Sequence, residues 1–162
     1  QSVWLDYIAR ELLRSGSLSR LIAYDGISGL TSNPALFEKA LAQGTEYTSA
    51  MAEYVRRGMS PLQVYEALAI ADIREACDLL TAVYERTRAR DGYVSLEVDP
   101  HLAYDPIATL TEARRLFRAV ARRNVMIKIP ATAAALPAVT AALSEGINVN
   151  VTLIFSVERY ER

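Results

Sequence analysis

Hydrophobic positions along the chain follow two different spacings, which predict strands and helices in alternation. Apolar residues recur every three or four positions in the longer stretches, as expected of helices that bury one face. The shorter runs between them are β-branched or alternate with polar residues, as expected of strands. These runs predict strands over residues 3–6, 27–32, 93–98, 125–129 and 148–153, although 3–6 is also compatible with a helix start.

Helices are predicted in the intervals between these strands. Ser17 and Ser60 suit helix N-caps, Pro34 and Pro61 suit a first helical turn, and Gly146 suits a helix end. The predicted helices cover residues 7–14, 17–24, 35–42, 45–57, 61 to about 90, 106 to about 123, and 132–145, and Ser156 opens a last one. Such alternation indicates an α/β protein with a parallel sheet covered by helices.

The polar residues of the predicted strands favour a closed barrel over an open sheet. Side chains alternate between the two faces of a strand, and four of the five predicted strands have one largely apolar face and one polar face. An open doubly wound sheet buries both faces beneath helices, which would place the polar side chains of Glu97, Lys128 and Asn150 in an apolar environment. No glycine-rich phosphate loop follows the first strand, which also argues against a dinucleotide-binding fold.

The length of the chain limits how much of a barrel it can form. A complete (β/α)8 barrel needs about 250 residues, whereas this sequence has 162. We therefore expect residues 1–162 to be the N-terminal part of one TIM-barrel domain, covering about the first five β/α units, with a helical insertion at about 45–90. Because the first residue is Gln, we also expect the sequence to begin inside a longer chain or after processing.

Composition excludes several classes of protein. The chain is 51% hydrophobic and 23% charged, with a formal net charge of −1, which gives no sign of a nucleic-acid or membrane-surface partner. Cys77 is the only cysteine, so an internal disulfide is excluded, and we expect it to be a core residue. With His101 as the only histidine, no metal site is expected. The sequence contains no recognisable signal peptide or long apolar run, which predicts a cytoplasmic protein.

Lys128 carries the strongest chemical signal in the sequence. It lies in the middle of the largely apolar segment NVMIKIPAT at 124–132. Burying a lysine is unfavourable unless it is paired or loses its proton. A neutral lysine amine is a nucleophile that can form a Schiff base with a carbonyl substrate. The alternative is a lysine at a strand end whose ammonium group stays in water.

Other polar side chains share the face of the predicted sheet that holds this lysine. They are two carboxylates, two amides and a hydroxyl, namely Asp6, Glu97, Asn33, Asn150 and Thr152. Schiff-base aldol chemistry uses such a set, because a general acid and base move protons as water leaves the adduct and as the C–C bond breaks. In a barrel these groups would meet at the C-terminal ends of the strands.

Five motifs, in the same order along the chain, resemble the class I transaldolase family, and the predicted helical insertion between the second and third strands resembles its bacterial branch. The motifs are WLD at 4–6, TSNPALF at 31–37, SLEVD at 95–99, IKIPAT at 127–132 and GINVNVTLIFS at 146–156. The resemblance covers the whole chain but only about the first half of the family's length. The family's phosphate-binding serine and arginine lie beyond residue 162, so no residue here is assigned to them.

This resemblance implies an enzyme of the pentose phosphate pathway that uses neither a metal nor an organic cofactor. It would transfer a dihydroxyacetone unit from fructose 6-phosphate or sedoheptulose 7-phosphate to glyceraldehyde 3-phosphate or erythrose 4-phosphate. Lys128 would be the Schiff-base nucleophile. Asp6 would be the acid/base that takes the proton from the C4 hydroxyl of the sugar; the alternative is that Asp6 caps the helix predicted at 7–14.

The resemblance also implies roles for the remaining polar residues. Glu97 and Thr152 would hold the catalytic water, while Asn33 and Asn150 would bind hydroxyls of the donor sugar. Each has a structural alternative. Asn33 could be a turn residue before a proline, and Asn150 and Thr152 could serve only as hydrogen-bonding groups inside the barrel. Glu97 could form an ion pair with Lys128, which would favour the protonated amine and oppose its nucleophilic role.

Two further functions remain open for the sequence. One is a related aldolase that releases free dihydroxyacetone. The other is a non-catalytic half-barrel, because an open five-stranded sheet leaves two unpaired edges that can associate with another chain. We therefore expect sugar-phosphate substrates, association as a homo-oligomer or through sheet edges, and no activity from residues 1–162 alone.

Overall fold

The computed structural model describes residues 2–161, which form strands and helices in alternation. The strands are β1 Val3–Asp6, β2 Ile27–Thr31, β3 Val94–Glu97, β4 Val125–Pro130 and β5 Val149–Thr152. They are hydrogen-bonded in the order β1-β2-β3-β4-β5, and the pairs β1/β2 and β4/β5 are parallel. A doubly wound sheet reverses its strand order, whereas successive strands of a (β/α)8 barrel are neighbours. This order confirms the predicted fold class.

The helices lie between the strands, mostly where the sequence predicted them. They are α1 Arg10–Arg14, α2 Ser17–Tyr24, α3 Pro34–Gln43, α4 Thr48–Arg56, α5 Pro61–Arg86, α6 Pro106–Val120, α7 Leu136–Ser144 and α8 Val157–Glu161. Single 3₁₀ turns occupy Thr45–Tyr47 and Pro100–Leu102. No helix within residues 2–161 has both the length and the apolar composition needed to span a bilayer.

Several helix ends differ from their predicted positions for local reasons. α5 stops at Arg86 rather than near 90, because Arg88 and Ala89 adopt left-handed backbone angles with φ of 54° and 60°. α6 stops at Val120 because Ala121 does the same, with φ of 51°. These angles interrupt the helical hydrogen-bond ladder.

Two helix starts and one helix cap also differ from the prediction. α1 begins at Arg10 rather than at residue 7, since Ala9 is extended, with φ of −154° and ψ of 148°. α2 is capped by Gly16 rather than by Ser17. α7 begins at Leu136 rather than at 132, because a proline is tolerated only in the first helical turn and Pro137 occupies that turn.

Contacts divide the chain into two compact units, the first ending at Val94 and the second beginning at Ser95. The core of the first unit centres on α5, whose capping box joins Ser60 and Gln63 as the Ser60 prediction requires. The buried side chains from α5, β2 and α3 include Leu30, Phe37, Leu68, Ile73, Cys77 and Leu80, and α1 and α2 add Leu13 and Leu18. The prediction that Cys77 is a core residue is therefore confirmed.

The second unit buries one face of β4 beneath a helix. Val125, Ile127 and Ile129 alternate along this strand and are 0% exposed, and α6 packs against both β4 and α7. The intervening residues, Met126 and Lys128, are only half-buried. β4 therefore has the apolar and polar faces that the alternation of its sequence predicts.

Candidate functional site

Lys128 lies on the polar face of β4 and forms an ion pair with Glu97 of β3. Its Nζ is 3.1 Å from Oε2 of Glu97, and the two side chains are 14% and 18% exposed. The backbone fixes this approach, because the N–H of Val98 donates to the carbonyl of Lys128 at 3.1 Å. The alternative of a lysine whose tip is in open water is wrong. The ion pair named as the alternative for Glu97 is present.

Asn150 occupies the neighbouring position on β5. Lys128 and Asn150 are directly paired in the parallel register of β4 and β5, so their side chains point to the same face. The Nδ2 group of Asn150 donates to Oγ of Ser95 at 2.9 Å, and Ser95 is 0% exposed. Sequence reasoning missed this contact, although Ser95 lies two positions before Glu97 and therefore on the same face of the strand.

Thr152 lies on the same polar face as Lys128 and Asn150. It is the last residue of β5 and lies two residues beyond Asn150, hence on the same face. Its Oγ1 atom is buried and makes no hydrogen bond to any residue within 2–161. A buried hydroxyl without a partner is uncommon, because it keeps its desolvation penalty. Thr152 therefore has donor and acceptor positions left for another group.

Asp6 ends β1 in the first unit, with its side chain exposed. The alternative that it caps the next helix is wrong, because the N-cap of α1 is Ala9. Trp4 shares the face of Asp6 and donates from Nε1 to Asp91 at 3.3 Å. A Cβ atom at Gly29 would lie 2.2 Å from the Trp4 ring, so only glycine fits against this indole.

Asn33 follows β2 and caps α3. Its Oδ1 accepts a hydrogen bond from the N–H of Ala35 at 3.0 Å, and Pro34 occupies the first helical turn as predicted. This is the structural role that a residue before a helical proline commonly takes. The cap uses the amide oxygen and leaves the two N–H donors of the amide for other groups.

The six predicted site residues are thus divided between the units. Those on β3, β4 and β5 come together on one face of the second unit, and they are Glu97, Lys128, Asn150 and Thr152. Asp6 and Asn33 each follow or end a strand of the first unit. Their closeness to Lys128 stays a prediction.

A second buried cluster, in the first unit, was missed by sequence reasoning. Nε and Nη2 of Arg10 donate to Oδ1 of Asp72 at 2.9 and 2.7 Å, and the hydroxyl of Tyr47 donates to Oδ2 of Asp72 at 2.7 Å. Burial raises the pKa of Asp72, although its hydrogen bonds to Tyr47 and Arg10 oppose this shift. The available signal was Asp72 itself, a carboxylate at a position where the helical spacing of α5 requires an apolar side chain.

The single histidine, His101, lies exposed in the 3₁₀ turn Pro100–Leu102. Its side chain is 91% exposed, and its Nδ1 lies 2.8 Å from Oδ1 of Asp99. Hydrogen bonds from the backbone and side chain of His101 lower the pKa of Asp99. Within residues 2–161, no three His, Cys, Asp or Glu side chains are grouped so that they could hold a metal ion.

The sequence matches the family model described as transaldolase/fructose-6-phosphate aldolase over residues 3–162. It is 52% identical over 160 residues to a Nostoc protein named Transaldolase 2, and 55% identical over 159 residues to a Thermobifida fusca protein named Transaldolase. A Mycolicibacterium paratuberculosis protein, also named Transaldolase, is 51% identical over 159 residues.

These alignments cover nearly all of this chain and less than half of each relative. They include 99% of the chain and 42% of the Nostoc protein, and 98% of the chain and 43% of each of the other two. The chain therefore spans about two fifths of the length of these curated relatives. Because the family model covers all but its first two residues, the chain belongs to the transaldolase/fructose-6-phosphate aldolase family.

Proposed function

We propose that the full-length protein carrying this chain is a transaldolase. It transfers a dihydroxyacetone unit from fructose 6-phosphate or sedoheptulose 7-phosphate to an aldose phosphate such as glyceraldehyde 3-phosphate or erythrose 4-phosphate. In this proposal residues 1–162 are the N-terminal part of one barrel domain, with α4 and α5 as an insertion between its second and third strands. The segment alone is inactive, because the residues that bind the substrate phosphate lie outside it.

The ion pair of Lys128 and Glu97 is the observation that carries this proposal. An amine must lose its proton before it can attack a ketone. Oε2 of Glu97 lies 3.1 Å from Nζ of Lys128, within reach to accept that proton.

The reaction begins when Nζ of Lys128 attacks the C2 carbonyl of the ketose. The carbinolamine that forms loses water, which needs a proton, and Glu97 supplies it through a water molecule. The hydroxyl of Thr152, which has no bonded partner within residues 2–161, binds that water. The product is a protonated Schiff base, which can accept the electron pair of the C3–C4 bond.

Cleavage of the C3–C4 bond follows from proton transfer to Asp6. The carboxylate takes the proton of the C4 hydroxyl, the C3–C4 bond breaks, and the aldose leaves with a new carbonyl. The electron pair moves to the imine, which becomes an enamine on Lys128. The enamine then attacks the acceptor aldehyde, Asp6 returns the proton, and water hydrolyses the new Schiff base.

Two amides hold the dihydroxyacetone unit during these steps. Asn150 lies beside Lys128 in the strand register, and its contact with Ser95 fixes the amide plane. Its oxygen accepts a hydrogen bond from a donor hydroxyl. Asn33 contributes amide N–H donors, since its oxygen is committed to the cap of α3.

An assay of the full-length protein with fructose 6-phosphate and erythrose 4-phosphate tests the proposal. The expected products are sedoheptulose 7-phosphate and glyceraldehyde 3-phosphate in equal amounts. Lys128→Arg should abolish transfer. Lys39→Arg is the matched control, because Lys39 is the only other lysine of the chain and lies exposed on α3. Equal activity in both variants would contradict the proposed role of Lys128.

A second candidate is an aldolase that releases free dihydroxyacetone. The family description that matches this chain names fructose-6-phosphate aldolase beside transaldolase. The same enamine forms in both reactions, and they differ in its fate: it either attacks an aldose or takes up a proton at carbon to give an imine, which water hydrolyses to free dihydroxyacetone. Release of dihydroxyacetone without an acceptor, at the rate of transfer with one, would favour the aldolase.

A further inference from the structure

The cluster of Arg10, Tyr47 and Asp72 lies close along the chain to the end of β1. Asp6 ends β1 and Arg10 begins α1, so only residues 7–9 separate them. Ile8, Ala9 and Arg10 are 1%, 7% and 4% exposed, which is unusual for a connection between elements. Four residues span at most about 14 Å even when fully extended. The position of Arg10 therefore restricts the position of Asp6.

Tyr47 takes the place of a helix cap at the start of α1. The N-cap residue, Ala9, has no side chain that could accept a hydrogen bond, and the first N–H groups of a helix lack partners within it. The backbone N–H of Arg10 instead donates to the hydroxyl of Tyr47 at 2.8 Å. This hydroxyl comes from a residue 37 positions away, in the 3₁₀ turn that precedes α4.

The same hydroxyl closes a ring of hydrogen bonds. Tyr47 donates to Oδ2 of Asp72 at 2.7 Å, and the Arg10 guanidinium donates to Oδ1 of Asp72. The guanidinium carbon also lies 4.5 Å from the centre of the Tyr47 ring. Both the backbone and the side chain of Arg10 are thus fixed to the helices that follow β2. A ring of buried polar groups whose hydrogen bonds are all made is rigid, because breaking any of these bonds leaves a buried charge without its partner.

We propose that Tyr47, together with Arg10 and Asp72, is a positioning residue for Asp6. The ring fixes the connection that follows β1 and thereby holds the Asp6 carboxylate where it can take the proton of the C4 hydroxyl of the donor sugar. This inference rests on the proposed function, in which Asp6 takes part in bond cleavage and not in the attack of Lys128. It gives the helices between β2 and β3 a role in catalysis.

Tyr47→Phe in the full-length protein separates positioning from folding. The variant keeps the ring and loses the hydroxyl, which frees the connection at 7–9. We expect kcat for cleavage of fructose 6-phosphate to fall by about tenfold to a hundredfold, as a displaced catalytic group does. The KM for the donor and the yield of borohydride-trapped adduct with dihydroxyacetone on Lys128 should stay within about twofold of wild type, because neither measurement requires Asp6.

Two matched controls and a milder variant accompany this test. Tyr65→Phe removes a hydroxyl from another ring that packs edge-on against Phe37, as Tyr47 does, and Arg14→Lys alters the exposed contact of Arg14 with Glu75. Both should retain wild-type cleavage. Arg10→Lys keeps the charge but loses the two-pronged contact with Asp72. Like Tyr47→Phe, it should lower kcat for cleavage and leave the yield of trapped adduct unchanged.

The outcomes distinguish this inference from the proposed function. Wild-type protein that gives no trapped adduct on Lys128 overturns both. Wild-type trapping with full cleavage in Tyr47→Phe and Arg10→Lys overturns the positioning role alone. A parallel loss of trapping and cleavage in both variants also overturns it, since the ring would then serve folding only. Retained trapping with reduced cleavage supports it.

Discussion

Two ion pairs of low solvent exposure, one from each unit within residues 2–161, differ in how completely they are enclosed. In the first unit Arg10 and Asp72 are 2.7 Å apart, with side chains 5% and 0% exposed. In the second unit Lys128 and Glu97 are 3.1 Å apart, with side chains 14% and 18% exposed. The first pair is sealed among helices, whereas the second lies on a sheet face that solvent still reaches.

The two cations differ in whether they can lose a proton, which is why we assign a catalytic role to only one of these pairs. Asp72 accepts two hydrogen bonds from Arg10 at Oδ1 and one from Tyr47 at Oδ2, so both of its oxygens are hydrogen-bonded. Arginine does not lose its proton in proteins, whereas the amine of lysine does so readily when buried. The Arg10 pair therefore fixes structure. In the proposed function, the Lys128 pair provides the transferable proton and lies on a face that a substrate could reach.

The largest expected contrast comes from removing the two cations. Lys128→Met should lower transfer activity by about 10⁴-fold or more, as loss of a covalent nucleophile does. The free energy of unfolding should change by about 1 kcal/mol or less, because Glu97 can regain water. Steady-state kinetics and urea unfolding of the full-length protein measure both. An active Lys128→Met variant would remove the distinction between the pairs.

Arg10→Leu should have the opposite profile. It leaves the carboxylate of Asp72 buried without its cation, which costs about 3–5 kcal/mol of unfolding free energy. The matched control is Arg14→Leu. Arg14 contacts Glu75, which lies on α5 as Asp72 does, at 3.2 Å, and the two side chains are 58% and 33% exposed. The loss of unfolding free energy in this control should be below about 1 kcal/mol. Similar losses in the two variants would show that enclosure does not set the strength of the pair.

Glu97→Gln tests the anionic half of the open pair. Loss of its acid–base function should reduce transfer by about 10²-fold to 10³-fold, and stability should stay close to wild type. Asp99→Asn is the control on the following loop, because Asp99 contacts His101 and is half-exposed. If Glu97→Gln transfers at the wild-type rate, Glu97 has only a structural role.

The smallest effect should appear at alkaline pH. Burial first, and then the hydrogen bond to Asp72, raise the pKa of Tyr47 well above its ordinary value of 10.0. Above about pH 10 the unfolded chain loses this proton while the folded chain keeps it, so the free energy of unfolding falls by at most about 1.4 kcal/mol per pH unit. Tyr47→Phe should flatten this decline between pH 10 and 11, whereas Tyr24→Phe, at an 83% exposed position, should not.

Periodicity predicted the strands and most helices because the apolar faces are regular. The parity of Lys128, Glu97 and Asn150 also predicted that they share a face, since the period of a strand is two. Helix ends were less predictable, because left-handed residues such as Ala89 and Ala121 carry no glycine signal. Asp72 is a carboxylate at an apolar position of α5, but its partners Arg10 and Tyr47 were not predictable, because contacts between residues so far apart in sequence leave no local pattern.

The most direct test of the proposed Schiff base on Lys128 is borohydride reduction of the full-length protein in the presence of fructose 6-phosphate, followed by peptide mass spectrometry. The proposed mechanism predicts a reduced adduct of dihydroxyacetone on the peptide that contains Lys128 and none on the peptide that contains Lys39, the other lysine of the chain. Full transfer activity with no adduct on Lys128 would contradict it.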